Sequence, residues 1–245
     1  MIELKRLTKR FGDFVAVDDV TLTARPGEIF GFLGANGAGK TTTIRILAGL
    51  SLPTSGSAAI QGHDVVSDPV GVKSVTGYIP DRPYLYEKLT GRELLDFVTD
   101  LYRADRPSAR SRADRLLRYF DLIRWIDTRI ESYSHGMKQK LVIVSALIHD
   151  PSVLIIDEPM VGLDALAQRQ ARELMREEAS LGKTVFLTTH TLSIAESLCD
   201  RIAILREGKI AVMGTTEEVR AMASVPGSPL EDAFLEISYG ELPSS

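Results

Sequence analysis

The chain has 245 residues, is 44% hydrophobic and 25% charged, and carries a formal net charge of −4. That is the make-up of an ordinary globular protein, long enough for one large α/β domain, and its acidic balance argues against nucleic acid as the main partner. The single cysteine, Cys199, excludes an internal disulfide and fits a reducing compartment. The N-terminus lacks signal-peptide organisation, and no apolar run nears the roughly 20 residues of a membrane span.

Residues 1–25 alternate apolar and polar positions and read as antiparallel strands joined by a turn at Gly12 and Asp13. A second turn at Pro26 and Gly27 leads to an apolar strand over 29–33. Next comes Gly34-Ala35-Asn36-Gly37-Ala38-Gly39-Lys40-Thr41, which fits G-x-x-x-x-G-K-[ST] at every fixed position. A helix-like run beginning at Thr42 follows it. Strand, Gly-rich loop and helix are the context that a phosphate-binding loop needs. Glycines let backbone N–H groups converge on phosphates, and the helix points its positive dipole end at the same anion. Lys40 is then expected at the β- and γ-phosphates of a nucleoside triphosphate, with the Thr41 hydroxyl on Mg²⁺.

Residues 53–57 read as a turn, 58–60 as strand and 75–79 as a short strand ending at Pro80. From about 87 to 150 no convincing strand occurs. Apolar residues at helical spacing over 91–101, 108–119 and 137–148 predict a helical insert, residues 87–150. Cys199 lies in an apolar setting and reads as a small packed residue. Strands return at 153–156, 185–188, 202–205 and 210–213, with a helix over 166–181 between the first two. Strand alternating with helix implies a mostly parallel sheet. Residues 224–228 read as a linker, 229–237 as a terminal helix, and 224–245 as a short tail.

Ser152-Val153-Leu154-Ile155-Ile156-Asp157-Glu158-Pro159 is the second strong signal. Two carboxylates stand at the C-terminal end of a buried strand, where parallel sheets bind ligands. Asp157 is expected to hold Mg²⁺, and Glu158 to polarise the attacking water. His190 closes the next strand and falls beside them, within reach of a γ-phosphate or of that water. His63, His135 and His149 show no metal-ligand spacing.

With these motifs in place, the chain resembles the ATP-binding cassette family over nearly its whole length. Tyr133-Ser134-His135-Gly136-Met137-Lys138-Gln139 is similar to the family's signature segment, L-S-G-G-Q, with His135 and Met137 as departures. Ser134 suits an N-cap. The resemblance implies an aromatic for adenine stacking at Phe11, a D-loop at Gly162-Leu163-Asp164, and a switch histidine at His190. Asp81 stands at the Q-loop position, where glutamine is usual. The family fold is a P-loop α/β core with an N-terminal antiparallel β subdomain and a helical insert, here one cassette over 1–245. Its mechanism pairs two cassettes head to tail, so Ser134, His135, Gly136 and Met137 would meet ATP bound by a second ATPase subunit, the same chain or a different one.

Three cassette types compete. A soluble factor acting on ribosomes usually carries two cassettes and a charged linker. A chromosome-maintenance ATPase carries a long coiled coil, and no heptad run occurs here. The reading favoured is the ATPase subunit of an exporter resembling the ABC-2 type, at the cytoplasmic face of the membrane and docked on an integral membrane permease. Residues 83–86, Pro-Tyr-Leu-Tyr, could line the docking groove or pack inside the insert.

Overall fold

Two kinds of burial pattern run along the strands, and they make two sheets. The structure, a computed structural model, describes residues 1–158, 160–222 and 230–240. Strands β1 (Ile2–Phe11) and β2 (Phe14–Ala24) form an antiparallel hairpin that turns at Gly12 and Asp13 and pairs Phe11 with Phe14. Strand β3 (Ile29–Gly34) runs into the phosphate loop and helix α1 (Lys40–Leu47). Strand β4 (Ser55–Ile60) and the two-residue β5 (His63–Asp64) complete the first sheet, in the order β2-β1-β4-β5. Helix α2 (Pro69–Ser74), capped by Asp68, precedes β6 (Thr76–Ile79).

Helices α3 (Gly91–Leu101), α4 (Arg106–Tyr119) and α5 (His135–Leu147) follow. Strand β7 (Val153–Asp157), helix α6 (Ala165–Ser180), strand β8 (Thr184–Thr189) and helix α7 (Leu192–Leu198) continue the chain. Strands β9 (Arg201–Arg206) and β10 (Lys209–Thr215) and helices α8 (Thr216–Arg220) and α9 (Leu230–Tyr239) end the described chain. The second sheet has the order β10-β9-β3-β8-β7-β6, and only β10 runs antiparallel to its neighbour. The protein is therefore α/β, with a mostly parallel sheet and a separate antiparallel one.

The parallel strands are apolar on both faces because each face has its own core. On β3, Phe30 and Phe32 point between the two sheets, where they meet Ile44 of α1 and Phe186 of β8. Phe30 stacks on Phe186 with ring centroids 5.7 Å apart. Ile29 and Leu33 point the other way, into the core of the remaining helices. Strand β7 divides in the same way, Val153 and Ile155 to one side, Leu154 and Ile156 to the other. Each fully buried side chain of this size contributes about 1.5–3 kcal/mol. Helix α5 buries Leu141, Val142, Ile143, Val144, Ala146 and Leu147, so it is apolar around most of its circumference. That burial fixes where its N-terminus lies.

Strand β4 starts at Ser55, inside the segment whose Gly and Ser content reads as a turn. Pairing with β1, Lys5 opposite Ser57 and Leu4 opposite Ala58, overrides weak strand propensity. Helix α2 has six residues, too few to show a periodicity. The expected linker at 224–228 lies outside the described residues.

Candidate nucleotide site

Register sets the site. Leu33, one residue before the phosphate loop, is opposite Thr189, and Asp157 is opposite Thr188. The C-terminal ends of β3, β8 and β7 therefore form one rail.

At Gly39, which precedes α1, φ is +106° and a Cβ would lie 2.3 Å from the Ala16 carbonyl oxygen. Only glycine lets the loop lie this close to β2. No side chain caps α1 and its first turn holds no acid, so its free N–H groups face the pocket. Lys40 is 8% exposed. Its Nζ donates to the Gly34 oxygen at 2.7 Å and to the Ala35 oxygen at 3.1 Å. Burial lowers its pKa, opposed by the carboxylates of Glu158 and Asp157.

Successive residues of a strand point to opposite faces, so Asp157 and Glu158 should diverge. They do not, because Glu158 adopts φ +53°. That left-handed backbone costs about 1–3 kcal/mol, and both carboxylates line one pocket. Asp157 is 4% exposed, and Thr188 Oγ1 donates to its Oδ1 at 2.5 Å. Burial raises its pKa, with the carboxylates of Asp81 and Glu158 adding to the rise, while the Thr188 hydrogen bond and Lys40 oppose it. Glu158 Oε1 accepts from the His190 backbone N–H at 3.1 Å and lies 2.7 Å from His190 Nδ1. Thr189 Oγ1 donates to Glu158 Oε2 at 3.3 Å.

The pocket encloses about 370 Å³. Of the residues expected from sequence, it gathers Asn36, Gly37, Gly39, Lys40, Thr41, Thr42, Asp81, Asp157, Glu158 and His190. Gly34, Ala35 and Ala38 shape the loop without lining it. Phe11 does not line it either. It is exposed at the end of β1, with Lys9 Nζ 4.9 Å from its ring centroid. Phe14, its partner across the hairpin, lines the pocket together with Ala16. The sequence signal for Phe14 is the two-residue turn, which pairs these aromatics directly but does not say which of them faces the pocket.

The signature segment lies elsewhere. Ser134 caps α5, its Oγ accepting from the Met137 N–H at 3.2 Å. Ser134 and His135 are exposed and outside the pocket. The His135 ring lies against Gly162, where a Cβ would meet it at 2.3 Å and φ is +78°. A Cβ on Gly136 would approach the Gly162 oxygen at 3.2 Å. Asp164 caps α6 by accepting from the Ala167 N–H at 2.8 Å, and Gln168 Nε2 donates to the Leu163 oxygen at 3.1 Å. The segments around His135 and Gly162 thus form one surface within the chain.

A second cavity of about 370 Å³ shares Thr41, Asp81 and Asp157 with the pocket and continues past Tyr78, Tyr84, Leu85 and Val142. Tyr84 is 80% exposed and Tyr86 64%, which removes them from the core of the insert. Cys199 is buried, and burial pushes its thiol up to about 12, so it packs rather than reacts.

The family profile described as ABC transporter matches residues 17–161. The chain is 36% identical over 238 residues to the ABC-type transporter ATP-binding protein EcsA of Bacillus subtilis (strain 168), covering 97% of this chain and 96% of that one. It is 35% identical over 242 residues to the probable multidrug ABC transporter ATP-binding protein YbhF of Escherichia coli (strain K12), and this match spans 98% of the chain but 42% of YbhF. The daunorubicin resistance ATP-binding protein DrrA3 of Streptomyces coeruleorubidus is 38% identical over 213 residues, 87% of this chain and 67% of that one. Among solved structures, an ATP-binding subunit of an ABC transporter superposes with TM-score 0.93 at 35% identity, covering 97% of this chain and 99% of its own. The ATP-binding cassette MJ0796, solved as a post-hydrolysis dimer with ADP and Pi, superposes with TM-score 0.78 at 26% identity, covering 88% and 98%.

Proposed function

The chain belongs to the ABC transporter family as an ATP-binding, ATP-hydrolysing cassette, and we propose that it pairs head to tail with a second cassette to drive export through a separate membrane subunit. One observation carries the pairing. Lys40, Asp157, Glu158 and His190 share a pocket, whereas Ser134 and the start of α5 lie exposed outside it. A triphosphate seated on Lys40 and α1 would keep its γ-phosphate open to water on one side. A second chain's Ser134 and Gly136, at a helix N-terminus, would close that side and exclude the water.

Within the pocket, Glu158 is the general base that orients the attacking water, and His190 holds Glu158 and reaches the γ-phosphate. Thr41 and Asp157 suit Mg²⁺, a hard cation that takes hydroxyl and carboxylate oxygens together with phosphates. Asp157 fits because a divalent charge would offset the cost of its burial. Phe14, with Phe11 beside it, offers an aromatic face to the base.

No helix of the described residues is long and apolar enough to cross a membrane. We place the spanning part on a partner subunit, with exposed Tyr84, which lines the second cavity, and exposed Tyr86, two residues on, as its contact. The cassette then works at the cytoplasmic face of the membrane. Export is supported by YbhF, named as a probable multidrug ABC transporter ATP-binding protein, and DrrA3, named as a daunorubicin resistance ATP-binding protein.

Sedimentation of Glu158→Gln with Mg-ATP tests the pairing. The expected result is a dimer that nucleotide-free protein does not form, and a monomer overturns the proposal. Affinity purification from solubilised membranes should recover a multi-span protein; recovery of ribosomes instead would support a soluble translation role.

A further inference from the structure

Strand β8 ends in two fully buried threonines, Thr188 and Thr189. The residues before them, Val185, Phe186 and Leu187, are apolar and buried. Valine would continue that strand equally well, because β-branching rather than polarity suits it. A buried hydroxyl costs free energy unless it is hydrogen-bonded, and here each has its own acid. Thr188 Oγ1 donates to Asp157 Oδ1 at 2.5 Å, and Thr189 Oγ1 donates to Glu158 Oε2 at 3.3 Å.

The second of these bonds has a fixed direction. A hydroxyl carries one proton and two lone pairs. The Thr191 backbone N–H donates to Thr189 Oγ1 at 3.0 Å and takes up a lone pair. The proton is left for Glu158 Oε2. The carboxylate is equally constrained, since its two oxygens offer about four acceptor sites. Oε1 meets His190 twice, at the backbone N–H (3.1 Å) and at Nδ1 (2.7 Å), which must carry a proton to face a carboxylate. Oε2 meets Thr189 alone among the described residues. The open acceptor site of Glu158 is therefore on Oε2, the oxygen that Thr189 holds.

We propose that Oε2 is the oxygen of Glu158 that takes the proton of the attacking water, and that Thr189 is the positioning residue that aims it. This rests on the reading of Glu158 as the base. The water oxygen bonds to the γ-phosphorus, its proton passes to Oε2, and the bond from phosphorus to the bridging oxygen breaks with its electron pair leaving on ADP. His190 anchors one oxygen of the base and Thr189 directs the other. Both anchors come from the end of β8, which also accepts the Glu158 N–H at the Thr188 carbonyl. Such support suits a residue held in left-handed backbone.

The test is steady-state hydrolysis at varied Mg-ATP, with single turnovers where rates are low. Thr189→Val should lower kcat about 10- to 100-fold, the loss of one hydrogen bond to a charged group, with KM for ATP unchanged. Thr189→Ser keeps the hydroxyl and should recover most of that loss. Thr189→Ala removes the same hydroxyl and decides the matter if the valine variant does not fold. In a Glu158→Gln background the valine should add almost nothing, because residues acting as a unit are not additive. In a His190→Ala background it should still cost at least as much, since Thr189 is then the remaining side-chain tether. An unimpaired kcat in a folded valine or alanine variant overturns the proposal. So does a valine that is silent in His190→Ala, which would make Thr189 a prop for His190. Normal turnover by Glu158→Gln would remove the base itself; an inactive Glu158→Gln beside a normal Thr189→Val would sink this proposal alone.

Discussion

Two helix N-termini in this molecule are built differently. Helix α1 starts at Gly39 with no side-chain cap, inside a pocket. Helix α5 starts at Ser134, whose hydroxyl satisfies the Met137 N–H, on an exposed surface. The first leaves its donors for an anion within its own chain. The second is stable alone and offers a dipole, a hydroxyl and a glycine outward. On the proposed head-to-tail pairing, binding belongs to the first end and completion of the site to the second.

Substitutions can break this contrast. The largest effect is expected at Glu158, held by His190 and Thr189. Glu158→Gln should lower kcat about a thousand-fold, within the usual span for a general base, with the Kd for ATP little changed. A steady-state assay beside a binding titration checks it, and normal turnover would remove Glu158 from the role. Ser134→Ala should lower kcat about 10- to 100-fold, less than or comparable to the loss of a single oxyanion donor. It should also cost about 1 kcal/mol as a lost N-cap. Because Ser134 lies outside the pocket, monomer Kd should stay constant; a weakened monomer Kd would merge the two ends into one site.

The base platform gives a smaller effect. Phe14→Ala should raise the Kd for ATP about 5- to 10-fold, the lower range of base–aromatic stacking. Phe11→Ala should raise it less, and the reverse order would restore Phe11 to the role. The smallest effect concerns stability. Burial raises the pKa of Asp157, so the fold bears the cost of its ionised form once pH is above that raised pKa. Asp157→Asn should therefore raise the Tm of nucleotide-free protein by a few degrees at neutral pH. The gain should vanish as pH falls below the ordinary aspartate range, where both side chains are neutral. A variant less stable than wild type at pH 7 would refute the sign.

Much of this was legible along the chain. The phosphate loop announces itself because its chemistry needs glycines, a lysine and a hydroxyl at fixed spacing. The buried strands were visible as unbroken apolar runs, and Ser134 as a cap by residue type. Strand β4 was partly hidden because its Ser and Gly residues become strand only when β1 pairs with them. Phe14 is not legible in the sequence as a pocket residue because a linear motif marks Phe11, whereas the packing of β2 beside the phosphate loop brings Phe14 and Ala16 to the pocket.

The sequence by itself determined the α/β class and the set of residues for phosphate chemistry, since periodicity and motif spacing are local properties. Only the tertiary structure decided which of them meet. Parallel register aligns Leu33 with Thr189 and Asp157 with Thr188. The left-handed backbone at Glu158 turns two consecutive carboxylates into one pocket. Packing of α5 buries Gln139 beneath Pro80, 59 positions away in the chain. Such contacts depend on how distant elements stack, and no local pattern of residues encodes them.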